Sequence, residues 1–160
     1  MRSSIRRACA SKHGFTLLEI LMCLAIVATL AAIAVPSYTS LLQGIKQDRV
    51  LEDIRQIEKA IIRFQSTHGH LPDTLAEAGI TLVDPWGQPY QFIPIQGEPL
   101  KGKKKVKPRK DKFLHPLNSD YDLWSMGADG KTALPLTAKA SHDDIIRAGD
   151  GSYYGRGEDY

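Results

Sequence analysis

The chain has 160 residues and a formal net charge of +3, room for one modest domain plus an anchor. The sign misleads, because removing Arg2, Arg6, Arg7 and Lys12 leaves seventeen Lys and Arg against eighteen Asp and Glu, which excludes a uniformly basic nucleic-acid binder. Of the two cysteines, Cys9 lies in that basic leader and Cys23 in an apolar run, so disulfides hold nothing together in the remainder.

The leader, residues 1–14, is short, has no acidic residue and ends at Gly14. The run Phe15–Val35 comes next, long enough to span hydrocarbon about 30 Å thick as a helix. Basic residues ahead of such a run keep the leader cytoplasmic and send the C-terminal domain across the membrane. Glu19 alone interrupts the run with charge. A charged side chain within hydrocarbon costs about 2.5–3.5 kcal/mol on insertion scales, so Glu19 needs a cationic partner. Cleavage after Gly14 would supply one, the new α-amine of Phe15. Ala31, Ala32 and Ala34 offer the competing reading, a secretory signal cut after its apolar segment.

Beyond Pro36, which should kink or loosen the helix, Leu42, Ile45, Val50, Ile54, Ile57, Ile61 and Phe64 recur mostly at spacings of three and four. Charged residues stand between them, which predicts an amphipathic helix with one buried face. Gly69 and Pro72 predict its end, and His68 and His70 suit the terminal carbonyls and dipole. From Phe15 to His68 that helix would be roughly 80 Å long, its first half needing lipid or copies of itself.

The remainder reads as short pieces. Thr74 and Glu77 match a capping box for one helical turn, and Asp84-Pro85-Trp86-Gly87 reads as a turn. Tyr90–Ile95 and Tyr121–Met126 read as strands. Between them, residues 97–112 form a lysine-rich loop, with eight basic residues and only Asp111 opposing them from Lys101 to Lys112. Outside that loop and the leader, nine basic residues face seventeen acidic ones. Residues 131–160 read mostly as loop, anchored by Asp143-Asp144-Ile145-Ile146.

Gly14-Phe15-Thr16-Leu17-Leu18-Glu19 at the head of an apolar helix resembles the prepilin signature of type IV pilins and type II secretion pseudopilins. The resemblance implies cleavage between Gly14 and Phe15 by a prepilin peptidase, N-methylation of Phe15, and a registry role for Glu19 against a neighbour's amine. Leu71-Pro72-Asp73, Asp84–Tyr90 and Tyr121–Gly130 are similar to the major pseudopilin of type II secretion. That likeness implies a calcium ion held by the Met126 carbonyl, Asp129, a carbonyl near Lys131, Asp143 and Asp144. Mixed carboxylate and carbonyl donors suit calcium, and Gly127 and Gly130 let the backbone turn around an ion. Leu134–Lys139 departs from the family's Gly/Glu-rich stretch.

The expected fold is α+β and pilin-like: a long N-terminal helix on a small antiparallel sheet with a loop-rich C-terminal region. Its parts would be the leader 1–14, a membrane and polymerisation helix 15–36, and a periplasmic domain 37–160. The expected function is structural: a pseudopilus subunit in the inner membrane and periplasm, partnered by the peptidase, its own copies, minor pseudopilins and an inner-membrane assembly platform. A type IV pilus pilin is the alternative. A DNA-binding uptake pilin is a third, with Lys103, Lys104, Lys105, Lys107, Arg109 and Lys110 as phosphate contacts, although acidic faces of neighbouring subunits suit that loop better. No Ser/His/Asp set, nucleotide loop or thiolate cluster points to an enzyme.

Overall fold

The computed structural model describes residues 14–96 and 107–160. The leader up to His13 and the lysines from Lys101 to Lys105 lie outside the described residues. One helix, α1 (Leu17–His68), is followed by four strands: β1 (Gln91–Pro94), β2 (Tyr121–Ser125), β3 (Ile145–Ala148) and β4 (Tyr153–Arg156). The chain divides into two compact units between Leu42 and Gln43.

In the first unit every described residue, from Gly14 to Leu42, is exposed. Leu17, Leu24, Leu30 and Ile33 all stand in the open, so the apolar surface runs around the helix instead of forming one stripe. Such a helix needs an apolar surrounding that the other described residues do not supply. The helix continues without a break through Pro36, against the expectation that it would loosen there. Hydroxyls bond the backbone on either side of the proline: Ser37 Oγ donates to the Ile33 carbonyl at 3.0 Å and Thr39 Oγ1 to the Pro36 carbonyl at 2.9 Å.

In the second unit the helix has a single buried stripe. Val50, Ile54, Ile57 and Ile61, spaced four, three and four apart, are fully buried. The helix stops where glycine allows it: Gly69 takes a φ of 76° and donates its N–H to the Gln65 carbonyl at 2.8 Å. The capping pattern at Thr74 yields a turn, not a helix. Glu77 N–H donates to Thr74 Oγ1, but the Glu77 carboxylate reaches one residue further back, to the Asp73 N–H at 2.7 Å.

The sheet order is β1-β2-β3-β4, antiparallel throughout. Phe92 pairs with Leu123, Trp124 with Ile146, and Ile146 with Gly155. Strand alternation sends Tyr121, Leu123 and Ile145 into the cluster built on the helix stripe. It sends Trp124, Ile146 and Ala148 into a second, outer cluster with Leu117 and Leu136, on the sheet face away from the helix stripe. Both faces of the sheet are covered, and all five residues of β2 are buried. The tail is more ordered than the sequence suggests, since β3 and β4 lie within residues 131–160. Three consecutive positive φ values at Gly149, Asp150 and Gly151 turn one strand into the other.

Candidate functional site

Thr16 is the N-cap of α1. Its N–H and hydroxyl both donate to Glu19 Oε2, at 2.8 and 2.9 Å, and Glu19 N–H donates back to Thr16 Oγ1 at 3.2 Å. This is the reciprocal capping box of the Thr-x-x-Glu spacing, so the helix begins at Leu17, two residues later than expected. Glu19 is therefore held by its own helix end. Gly14 and Phe15 are exposed ahead of it, with open space where a side chain on Gly14 would stand.

The five expected calcium ligands lie in the segment after β2. Gly127 and Gly130 take φ values of 65° and 64°, the sharp turns the sequence implies. A Cβ on Gly127 would fall on the Asp143 carbonyl oxygen, so glycine is needed for the backbones to approach. Asp129 and Asp143 do meet: Asp143 Oδ2 accepts the Asp129 N–H at 3.0 Å. Asp129 Oδ1 accepts the Lys131 N–H at 2.8 Å. Met126 is half-buried and packs against the outer cluster.

Asp144 is committed elsewhere. It is fully buried, and its Oδ2 accepts from Arg109 Nη2 at 2.6 Å and from Thr132 Oγ1 at 2.7 Å. Arg109, expected among the phosphate contacts of the basic loop, is only 1% exposed and cannot meet a nucleic acid. Its Nη2 also donates to the Ala133 carbonyl, and its guanidinium lies 4.7 Å from the Trp124 ring centre. Its backbone N–H donates to Asp122 Oδ2 at 2.6 Å, while Asn118 Nδ2 holds Asp122 Oδ1. Burial lowers the pKa of Arg109 and raises those of Asp122 and Asp144. For this set desolvation outweighs the attraction between the charges.

The residues present do not fit a calcium ion. Calcium takes six to eight oxygens. Here an oxygen of each of the three expected carboxylates already accepts an internal donor. A guanidinium stands against Asp144, where a dication would meet a like charge. One buried carboxylate oxygen, Asp144 Oδ1, is without a hydrogen-bond partner among the described residues. Those residues also contain no group of three or more His, Cys, Asp or Glu arranged to hold a metal.

A second buried arginine was equally unforeseen. Arg147 on β3 donates Nε to Glu58 Oε1 at 2.9 Å and grips both oxygens of Asp120, at 2.8 and 2.7 Å. Tyr154 and Tyr121 hydroxyls complete the surroundings of Glu58, at 2.6 and 3.2 Å. Burial opposes the charge of Arg147, but its bonds to Asp120 and Glu58 outweigh that and raise its pKa. The link ties the amphipathic half of α1 to the sheet.

Signals for both arginines exist in the sequence. Arg109 is the lone arginine among the lysines of residues 101–112, and arginine is the better suited to a buried pair. Glu58 stands four residues after Ile54, beside the buried stripe, and Arg147 lies two after Ile145, on the same strand face.

The turn at Asp84 agrees with its reading. Asp84 Oδ1 accepts from the N–H groups of Trp86 and Gln88, and Oδ2 accepts from Ser125 Oγ at 2.6 Å, fixing the turn to the end of β2.

Comparison with known proteins agrees with the N-terminal geometry. The family described as the prokaryotic N-terminal methylation motif matches residues 9–35. The type II secretion system core protein G of Klebsiella pneumoniae is 26% identical, over 84% of this chain and 92% of the relative. That of Pseudomonas aeruginosa is 28% identical, over 75% and 86%. That of Escherichia coli is 27% identical, over 89% and 95%. No solved structure matches the chain. The chain thus carries the methylation motif at its start and is similar to core protein G along most of its length.

Proposed function

We propose that the chain is a structural, non-enzymatic subunit of a type II secretion pseudopilus, anchored in the inner membrane by α1 with its folded domain in the periplasm. The single observation that carries this is the helix itself. It is apolar and exposed all round to Leu42, then one-sided where the sheet covers it. A membrane can surround the first part in the precursor, and neighbouring copies can surround it in a filament.

A prepilin peptidase cuts between Gly14 and Phe15, and the new amine of Phe15 is methylated. Glu19 is the registry residue. In the uncut chain its carboxylate sits in the Thr16 capping box, and in the filament it accepts the charge of a neighbour's amine. Coulomb attraction at low dielectric favours one stagger between helices, although desolvation offsets much of the net energy. The further partners are minor pseudopilins and an inner-membrane assembly platform.

Deletion of the gene, with secreted cargo and surface pili followed in parallel, tests the reading. Cargo should accumulate in the periplasm while surface pili persist. Loss of pili with secretion intact would replace this reading with that of a type IV pilin.

A further inference from the structure

We propose that Arg109 is the resident cation of the segment from Met126 to Asp144, supplying from within the chain the cross-link that a metal ion would otherwise make.

Charge balance calls for a cation at this place. Asp122 and Asp144 are both about 1% exposed or less, and buried carboxylates need a compensating positive charge. Arg109 is buried with them, bonded to Asp144 through its guanidinium and to Asp122 through its backbone.

Arg109 also joins three pieces of chain that are far apart in sequence. It reaches Asp144 just before β3, the Ala133 carbonyl in the middle of the segment, and Asp122 on β2. The flanking backbone repeats the link. Lys110 N–H donates to the Leu134 carbonyl at 3.1 Å, and Leu136 N–H donates to the Lys110 carbonyl at 3.0 Å. Leu136 then seals the outer cluster with Leu117 and Trp124. Leu134–Lys139, the stretch that departs from the family pattern, is therefore where the end of the basic loop docks.

The guanidinium lies over the Trp124 ring, whose negative face favours a cation. Arg109 Nε and Nη1 have no hydrogen-bond partner among the described residues, and a flat ion against a ring suits such a position better than a compact ammonium would. A lysine, like a metal ion, would forfeit that stacking.

The full chain in detergent tests this, with unfolding followed by fluorescence in a Trp86→Phe background so that Trp124 reports. The melting temperature and Trp124 emission should be the same in millimolar calcium and in chelator. Arg109→Met should lower the melting temperature by on the order of 10 °C, the scale expected for breaking a buried pair in a domain of this size. It should also change Trp124 emission in the folded state. Arg109→Lys should recover only part of either effect. Should Arg109→Met fail to fold, the calcium response of the unaltered arginine chain is a test in its own right. A melting temperature that rises by several degrees with calcium, or calcium binding detected by calorimetry at micromolar affinity, would overturn the proposal. So would an Arg109→Met chain that melts with the parent.

Discussion

Arg147→Met removes the cation that ties α1 to the sheet while keeping most of the side chain's bulk. The wild-type guanidinium makes one bond to Glu58, two to Asp120, and lies 4.2 Å from the Tyr121 ring centre. Its side chain is 3% exposed, against 17% for Glu58 and 26% for Asp120. Removing one partner of a buried pair costs about 3–5 kcal/mol. Water can reach Asp120 and partly reach Glu58, and the tyrosine hydroxyls still donate to Glu58, so the lower end, about 3 kcal/mol, is expected. Urea unfolding of the full chain in detergent measures it, with the slope on denaturant checked for constancy. A cycle with Glu58→Gln should show the two residues coupled by about 1–3 kcal/mol. A loss under about 1 kcal/mol, or two strictly additive substitutions, would refute the claim that this pair fastens helix to sheet.

Gly127→Ala should destabilise more than Gly87→Ala. Both positions have positive φ, at roughly 1–2 kcal/mol for an L-residue, but only at Gly127 does a Cβ meet the Asp143 backbone; equal losses in thermal unfolding would contradict the close approach. Hydrogen bonds from the Ser119 N–H and hydroxyl hold the Asp150 carboxyl below its usual pKa. Its contribution should then be present above the unfolded value near 4 and lost as pH falls through the folded one, so Asp150→Asn should differ from wild type at neutral pH and converge with it in acid. For Asp144 the pKa is raised by burial and the sign reverses: stability should fall as pH rises from the unfolded value near 4 through the folded one and be level above it, and the Asp144→Asn comparison should show that slope. Glu19→Ala should leave membrane levels unchanged, because the anchor becomes more apolar, while filaments disappear or lose regularity in electron micrographs; normal filaments would remove the registry role.

The parts legible in the sequence were those governed by local rules. The apolar run, the stripe from Val50 to Ile61, the stop at Gly69 and the turn at Asp84 each follow from periodicity, a left-handed position or a short-range bond. Strands β1 and β2 were legible because each carries aromatic and large aliphatic residues between turn signals. Strands β3 and β4 were obscured because they are four residues each, set between Asp143-Asp144 and the Gly149-Asp150-Gly151 turn, and their pairing is set by tertiary register. Thr16-x-x-Glu19 was readable as a capping box but was overshadowed by the question of a charge in a membrane. Arg109 reads from its neighbours alone as one more outward-facing charge of the basic loop. Its burial depends on Asp122 and Asp144, thirteen and thirty-five residues away, and no local pattern encodes such a meeting. Distance also hid the internal donors of Asp143 and Asp144, whereas that of Asp129, the Lys131 N–H, lies only two residues on.

Processing at Gly14 and assembly through the N-terminal helix are the core of the proposed function. Intact-mass and N-terminal analysis of subunits recovered from purified filaments tests them together. The subunit should begin at Phe15 and carry one methyl group on its α-amine. Filament subunits that retain Met1–Gly14, or a mature chain cut beyond Ala31 and shed from the membrane, would contradict that function.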